Sequence, residues 1–475
     1  MSRHYFIVLL FLAFAFTLNA QNLVDATFLE SHTREELAAE YGFFIQYGID
    51  VYKVRYTTLD VHGQPDTASG ALVVPQARDF ALPIFIYQHG TSGAKDDTPS
   101  NLNIVDYEVP LAFGGVGFVS IAPDYLGLGE SRGFHPYLHA ATEASAAIDM
   151  LKAIGPYVEG QGQALNGQLF LSGYSQGGHA SMALHRALQQ DYSAEYPVTA
   201  AAHMSGPYSL ANVMREYILS EEEYLFPGYI VRIIMGLNEY YQIYDDFSKV
   251  FREPYLGPAE AYYNNELTMG QLHDTLAQLL SQEVGLVQPK YIIQDSVRQN
   301  ILDYPNHPVN LALAENDVYD WAPESPTRLY YCIMDEQVLY TNSLLADSVM
   351  NANGAPDVQS VNIDPNLGHF ECGEPSLTAA LLFFSQYLNI VMDAAELAMQ
   401  EPIRVYPNPT SGPFTVEGLS AGARLELYTP DGQRLQIANA DGETVQFRGA
   451  GLSSGLYYLR ISSAEGTSVQ GLVVK

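Results

Sequence analysis

Leu169-Phe170-Leu171-Ser172-Gly173-Tyr174-Ser175-Gln176-Gly177-Gly178-His179 decides the reading of this chain: an apolar run meets Gly-x-Ser-x-Gly, and a helix-compatible stretch follows. A serine hydroxyl is a weak nucleophile in water. It becomes useful when a neighbouring base takes its proton and a sharp strand-to-helix turn pushes its oxygen clear of the backbone. Gly173 and Gly177 flank Ser175 where a Cβ would collide with a neighbouring strand or helix, so they permit that turn. Ser175 is therefore the candidate nucleophile, and the backbone N–H of Gln176 is placed to meet a developing oxyanion. The five-residue pattern recurs by chance in a chain with 38 glycines, so its weight depends on what the other residues supply.

On either side of the elbow the chain alternates strands and helices. Leu82–Tyr87, Phe118–Ala122 and Gln168–Leu171 are compact apolar runs, as expected of strands buried on both faces of a parallel sheet. Ala140–Ile154 reads as a crossover helix, and Val198–Met204 is a further apolar run. Upstream, Thr33 and Glu36 are spaced as a capping box, and Val51–Val61 and Ala68–Val74 flank the turn-rich residues 62–66, which predicts a hairpin. From about residue 213 to 327 the strand rhythm stops. That stretch is helical in composition and carries Tyr217, Tyr224, Phe226, Tyr229, Tyr240, Tyr241, Tyr244, Phe247 and Phe251, which predicts a cap over the carboxyl edge of the sheet, where ligands bind in open α/β folds. Most of these rings are expected in the cap's own core. Strands resume at Arg328–Met334 and Val358–Ile363, and a helix is predicted over about 376–392.

At 475 residues and 47% hydrophobic content, the chain suits a large α/β domain with additions and is not disordered. A net charge of −32 repels phosphate backbones and anionic membranes, so nucleic acid is not an expected partner. Residues 1–20 read as a signal peptide: the apolar run from Tyr5 to Leu18 is shorter than the ~20 residues of a membrane span, with an uncleaved anchor as the alternative. No transmembrane segment is expected in the mature chain. Residues 21–395 read as the main domain, 396–403 as a linker and 404–475 as a small β-sandwich of short strands and glycine turns. Residues 401–475 hold six Lys or Arg against seven Asp or Glu, so nearly all the net charge lies upstream, which supports a separate domain.

A serine hydrolase needs a histidine base and a carboxylate that holds the imidazole's tautomer, arriving after the serine as acid and then histidine. Six of the twelve histidines follow Ser175: His179, His185, His203, His273, His307 and His369. The first two sit on the helix after the elbow, His203 ends a strand too early, and His273 and His307 lie in the cap. His369 remains, in the expected loop Asp364-Pro365-Asn366-Leu367-Gly368-His369. Asp335 stands at the end of the preceding strand and is preferred as the acid over Glu336, Asp320 and Asp364. Cys332 and Cys372 lie three residues before Asp335 and three after His369, so one disulfide can clamp acid loop to base loop; two buried free thiols are the alternative. The second oxyanion donor is expected from Gln88-His89-Gly90-Thr91-Ser92-Gly93, most directly the N–H of Thr91, with His89 structural.

With these residues placed, the region from about Val51 to Met392 resembles the α/β-hydrolase superfamily, in its secretory lipase branch. The matching pieces are His89-Gly90-Thr91, Ala122-Pro123-Asp124-Tyr125-Leu126-Gly127-Leu128-Gly129, His135-Pro136-Tyr137, Gly173 to Gly178, Asp335 to Val338 and Gly368-His369. The resemblance implies a doubly wound, mostly parallel sheet with a helical cap over an acyl-binding tunnel, a Ser175, Asp335, His369 triad, and hydrolysis of a small-molecule or lipid ester with no cofactor and no metal. The final segment, Val405-Tyr406-Pro407-Asn408-Pro409-Thr410-Ser411-Gly412 through Gly455 to Arg460, resembles the C-terminal sorting domain of the type IX secretion system. That implies export to the cell surface or medium through that machinery. Three alternatives stay open: a prolyl-peptidase-like enzyme, an idle hydrolase fold used for binding, and a carbohydrate-binding or adhesion role for the sandwich.

Overall fold

The computed structural model describes residues 23–42, 44–389, 391–392, 403–428, 434–449, 451–453, 455–463 and 466–474. The expected signal peptide and, apart from Ile403, the expected linker lie outside them. The chain opens with β1 (Leu23–His32) and α1 (Arg34–Tyr41). Thr33 and Glu36 close the capping box at the start of α1, each side chain accepting the other's backbone N–H. The hairpin β2 (Ile49–Leu59) and β3 (Pro65–Pro75) follows, then β4 (Phe80–Gln88), α2 (Glu108–Val116), β5 (Val119–Pro123), α3 (Ala140–Gly160), β6 (Leu165–Tyr174), α4 (Gln176–Asp191) and β7 (Val198–Met204).

A helical insertion then runs through a π-helical turn (Leu210–Met214), α5 (Arg215–Ile218), α6 (Gly228–Tyr241), α7 (Leu256–Tyr263), α8 (Met269–Glu283), α9 (Asp295–Asp303) and α10 (Pro308–Glu315). The sheet resumes with β8 (Thr327–Tyr331), α11 (Thr341–Ala352), β9 (Val358–Asn362), α12 (His369–Phe384) and β10 (Val391–Met392). Its order is β1-β2-β3-β5-β4-β6-β7-β8-β9, with β10 pairing β4 off that path. The N-terminal strands pair antiparallel, whereas β5, β4, β6, β7, β8 and β9 run parallel. This is the mixed, doubly wound sheet of an α/β-hydrolase.

The strands' period of two explains the winding. Phe85 and Phe170 point to one face, where they pack with Phe113 of α2 and Phe384 of α12; Phe85 stacks on Phe113 at 3.9 Å between ring centroids. Their neighbours Ile86 and Leu171 point to the other face, against Ile148 and Leu151 of α3 and Leu184 and Leu188 of α4. The insertion has its own apolar core, which includes Phe251, Tyr255, Leu272 and Leu276, and Tyr217, Tyr229, Tyr241, Tyr244 and Phe247 pack half-buried against it.

Beyond β10 come β11 (Arg404–Tyr406), β12 (Phe414–Glu417), β13 (Arg424–Tyr428), β14 (Arg434–Asn439), β15 (Thr444–Phe447), β16 (Gly455–Ser463) and β17 (Gly466–Val474). They form two antiparallel sheets, β11-β12-β15 and β14-β13-β16-β17, around a shared core that includes Phe414, Val416, Leu425 and Leu459.

Two local expectations are corrected. The last helix of the main domain starts at His369, not near 376, and ends at Phe384, while Val391–Met392 is a strand. Pro375 and the turn before Gly368 read as loop, but Pro375 forgoes only one helical bond and the turn is completed by contacts from elsewhere in the chain. The strand before the acid stops at Tyr331, which leaves Cys332 to Asp335 in the following turn.

The helix behind the elbow is tied to the sheet through neutral histidines. Ser181 Oγ lies 2.7 Å from His203 Nδ1, His203 Nε2 lies 3.3 Å from His185 Nδ1, and His185 Nε2 meets Ser325 Oγ at 2.8 Å. Burial pushes His185 down to about 3. The unfolded chain therefore binds a proton that the native state refuses, and the stability this group contributes is complete above about pH 6.5 and is lost as pH falls toward 3. Within that window one such group contributes a slope of about 1.4 kcal/mol per pH unit. Urea unfolding between pH 6.5 and 4 is predicted to show a shallower slope in His185→Gln than in wild type; identical slopes would contradict this origin.

Candidate active site

The elbow lies where β6 ends and α4 begins. Ser175 has φ 59° and ψ −122°, a left-handed conformation that a residue with a Cβ holds only under constraint. The constraint is close packing. A Cβ on Gly173 would lie 2.1 Å from the Gly177 carbonyl oxygen, and one on Gly177 would lie 1.8 Å from that of Gln88 at the end of β4. Ser175 N–H donates to the Met204 carbonyl of β7 at 3.0 Å, so three adjacent strands fix the turn.

His369 Nε2 lies 2.9 Å from Ser175 Oγ, and His369 Nδ1 lies 2.7 Å from Asp335 Oδ2. A carboxylate only accepts, so Nδ1 carries the ring proton and Nε2 is left to accept from the serine. Both side chains are almost fully buried. The other oxygen of Asp335 accepts the backbone N–H groups of Gln337 and Val338 at 3.0 and 2.8 Å, which locks the carboxylate's orientation. Glu336, the fallback acid, holds the same histidine by its backbone: its Oε2 accepts the His369 N–H at 3.0 Å. Cys332 and Cys372 are bonded, and the disulfide ties the acid turn to the first turn of α12.

The Gln176 and Thr91 N–H groups donate to no partner among the described residues. The Thr91 loop is fixed around them. Gly90 N–H donates to Asp106 at 2.8 Å, and Thr91 Oγ1 and Tyr137 OH are 2.9 Å apart. His89 is structural: its ring packs against Tyr125 at 4.2 Å, and its carbonyl accepts the Tyr125 hydroxyl. A cavity of about 40 Å³ opens at Ser175, walled by Gln176, Tyr137, Leu138 and cap residues such as Met214 and Tyr229. Behind it lies an apolar cavity of about 70 Å³, and Leu210, Met214, Ile218 and Ile233 wall both. Of the nine cap aromatics singled out, Tyr224 and Tyr229 reach the first and Tyr244 the second. Among the described residues no three His, Cys, Asp or Glu converge as a metal site.

A buried network under the elbow escaped the sequence. Gln176 Nε2 donates to Glu143 Oε1 at 3.0 Å and lies 2.8 Å from His135 Nε2; Glu143 Oε2 lies 2.7 Å from His179 Nδ1. Only the helical periodicity of α3, which turns Glu143 toward the sheet, offered a signal.

Residues 110–383, more than half of the chain, match the family model of secretory lipases, and residues 404–475 match that of the secretion system C-terminal sorting domain. The rice cell wall degrading esterase LipA from Xanthomonas oryzae, in a ligand-bound form, is 26% identical with a TM-score of 0.69 over 78% of this chain and 98% of its own. A protein of Legionella pneumophila is 25% identical, with a TM-score of 0.71 over 80% of this chain and 100% of its own. Candida antarctica lipase A in its closed state, 16% identical, shares the fold with a TM-score of 0.59 over 78% of this chain and 82% of its own. No curated protein matches by sequence.

The disulfide closes a loop of 40 residues, worth roughly 4 kcal/mol on a chain-entropy estimate. The double variant Cys332→Ser/Cys372→Ser is predicted to lose roughly that much stability in urea unfolding and to hydrolyse esters more slowly, because α12 carries the base. A loss below about 1 kcal/mol with unchanged activity would contradict the clamp.

Proposed function

The chain belongs to the secretory lipase family, and on that premise we propose that it hydrolyses carboxylic esters through an acyl-enzyme on Ser175. The reading rests on the line from Ser175 Oγ to His369 at 2.9 Å and on to Asp335 at 2.7 Å. His369 Nε2 takes the serine proton as Oγ attacks the ester carbonyl. Asp335 stabilises the resulting imidazolium and keeps its ring oriented. The Gln176 and Thr91 N–H groups receive the negative charge that develops on the carbonyl oxygen. When the tetrahedral intermediate collapses, the alkoxide leaves with the proton from His369; water, deprotonated by the same nitrogen, then releases the acid. The fold's other roles follow: residues 213–327 act as the cap, and residues 404–475 are the address read by type IX secretion machinery, so the enzyme acts outside the cell on small-molecule or lipid esters.

The two apolar cavities suit an aliphatic acyl chain, and each methylene buried there adds about 0.8 kcal/mol. Along a p-nitrophenyl ester series, kcat/KM should rise about fourfold per added methylene until the cavities are filled. Ser175→Ala should lose roughly 10⁶-fold in kcat on every ester, and peptide anilides should not be turned over. A flat chain-length profile would contradict the acyl assignment, faster anilide cleavage would favour a peptidase, and ester turnover surviving Ser175→Ala would refute the mechanism.

A further inference from the structure

Arg232, on α6 of the cap, is 2% exposed, and its neighbourhood is unusual for a buried guanidinium. Ionised side chains removed from water are ordinarily paired with an opposite charge. The other cation buried this deeply among the described residues, Lys290, is paired with Glu221. Acidic residues outnumber Lys and Arg by 54 to 22 in this chain, yet among the described residues no carboxylate lies within ion-pair distance of Arg232. Its Nη1 donates to the Ser92 carbonyl, the Tyr262 hydroxyl hydrogen-bonds the guanidinium, which lies 4.7 Å over the Tyr137 ring, and the fully enclosed Nε–H has no partner among the described residues.

Arg232 forms part of the wall of a cavity of about 100 Å³ between cap and core. Lys95 lines the same cavity, and it too makes no ion pair among the described residues. Thr268 and Gln271 contribute polar groups to the walls, and Glu266, on the rim, is not paired with either cation. His135, also in the wall, is held well below the ordinary histidine value by burial and by the Arg232 charge, so it adds no charge of its own. Two cationic residues thus line one cavity between cap and core.

We propose that this cavity is a binding site for a small carboxylate, held by the charges of Arg232 and Lys95 in its wall. It is separate from the acyl cavities, with which it shares no lining residue. It is not isolated from the reaction. The guanidinium that would take the carboxylate also holds the Ser92 carbonyl, next to Thr91, and the Met269 N–H docks the cap onto the Gly93 carbonyl of that loop at 2.7 Å. Occupancy therefore bears on the loop that supplies the second oxyanion donor.

The test uses succinate as probe, titrated into the full mature chain at fixed ionic strength and followed by calorimetry and by Tm. Saturable one-site binding with a rising Tm is expected in wild type, weakened at least tenfold in Arg232→Met and several-fold in Lys95→Ala. Inhibition of p-nitrophenyl butyrate hydrolysis sorts the source of the carboxylate. Competition with substrate that weakens in Arg232→Met and Lys95→Ala in step with binding assigns it to a substrate or product group, and a change in kcat at constant KM assigns it to a separate small acid; competition that both variants leave unchanged places the probe at Ser175 and overturns the proposal. Absence of saturable binding by wild type at tens of millimolar succinate, or binding by Arg232→Met and Lys95→Ala as tight as by wild type, would overturn the proposal. Should Arg232→Met fail to fold, Lys95→Ala decides alone, and because binding is read without turnover the outcome is independent of the mechanism assigned to Ser175.

Discussion

The backbone of Ser175 is the constraint on which the rest of the site depends. A left-handed serine stores on the order of 1–3 kcal/mol of strain and persists only where its surroundings over-determine it. Here the surroundings are three parallel strands and the start of α4, so close that neither Gly173 nor Gly177 has room for a Cβ. The strain places the hydroxyl beyond the carboxyl edge of the sheet, with the first N–H of α4 beside it. It follows that the strand order β4-β6-β7 is part of the chemistry as well as of the fold: β4 supplies the Gln88 carbonyl on which Gly177 packs, and β7 accepts the Ser175 N–H.

On the proposed mechanism, a nucleophile fixed so rigidly needs a base fixed as well. His369 is gripped at its ring by Asp335, at its backbone N–H by Glu336 and, one turn along, by the disulfide from Cys332. Two consecutive carboxylates thus divide the work, one orienting the imidazole and the other the helix that carries it. The cap joins in: the Tyr224 hydroxyl donates to the Gln337 carbonyl and the Tyr229 hydroxyl to the Gln337 side chain, so the acid turn is packed from both sides. These contacts connect the walls of the cavity at Ser175 to the groups that, on the proposed mechanism, move the proton.

Much of this was legible in the sequence because it is written locally. Gly-x-Ser-x-Gly after an apolar run, the order serine, acid, histidine, and two cysteines equally spaced from acid and base are patterns that survive without knowing what touches what. The cap was legible as an interruption in strand rhythm. The start of α12 was not, since Pro375 stands in its second turn and its first is completed by Glu336 and Cys332 from more than thirty residues upstream. Glu143 under Gln176 and Arg232 behind Tyr137 were likewise invisible. A glutamate in one helix and an arginine in another look like ordinary solvated charges until the sheet brings them inside.

The most direct measurement is to react the enzyme with a p-nitrophenyl alkylphosphonate, whose phosphorus captures a nucleophile and mimics the tetrahedral intermediate, and to find the adduct by intact mass and peptide mapping. The account predicts one phosphonyl group per chain, on Ser175, with loss of ester hydrolysis in step with labelling and no adduct in Ser175→Ala. An adduct on another residue, or hydrolysis that continues after Ser175 is fully labelled, would contradict it.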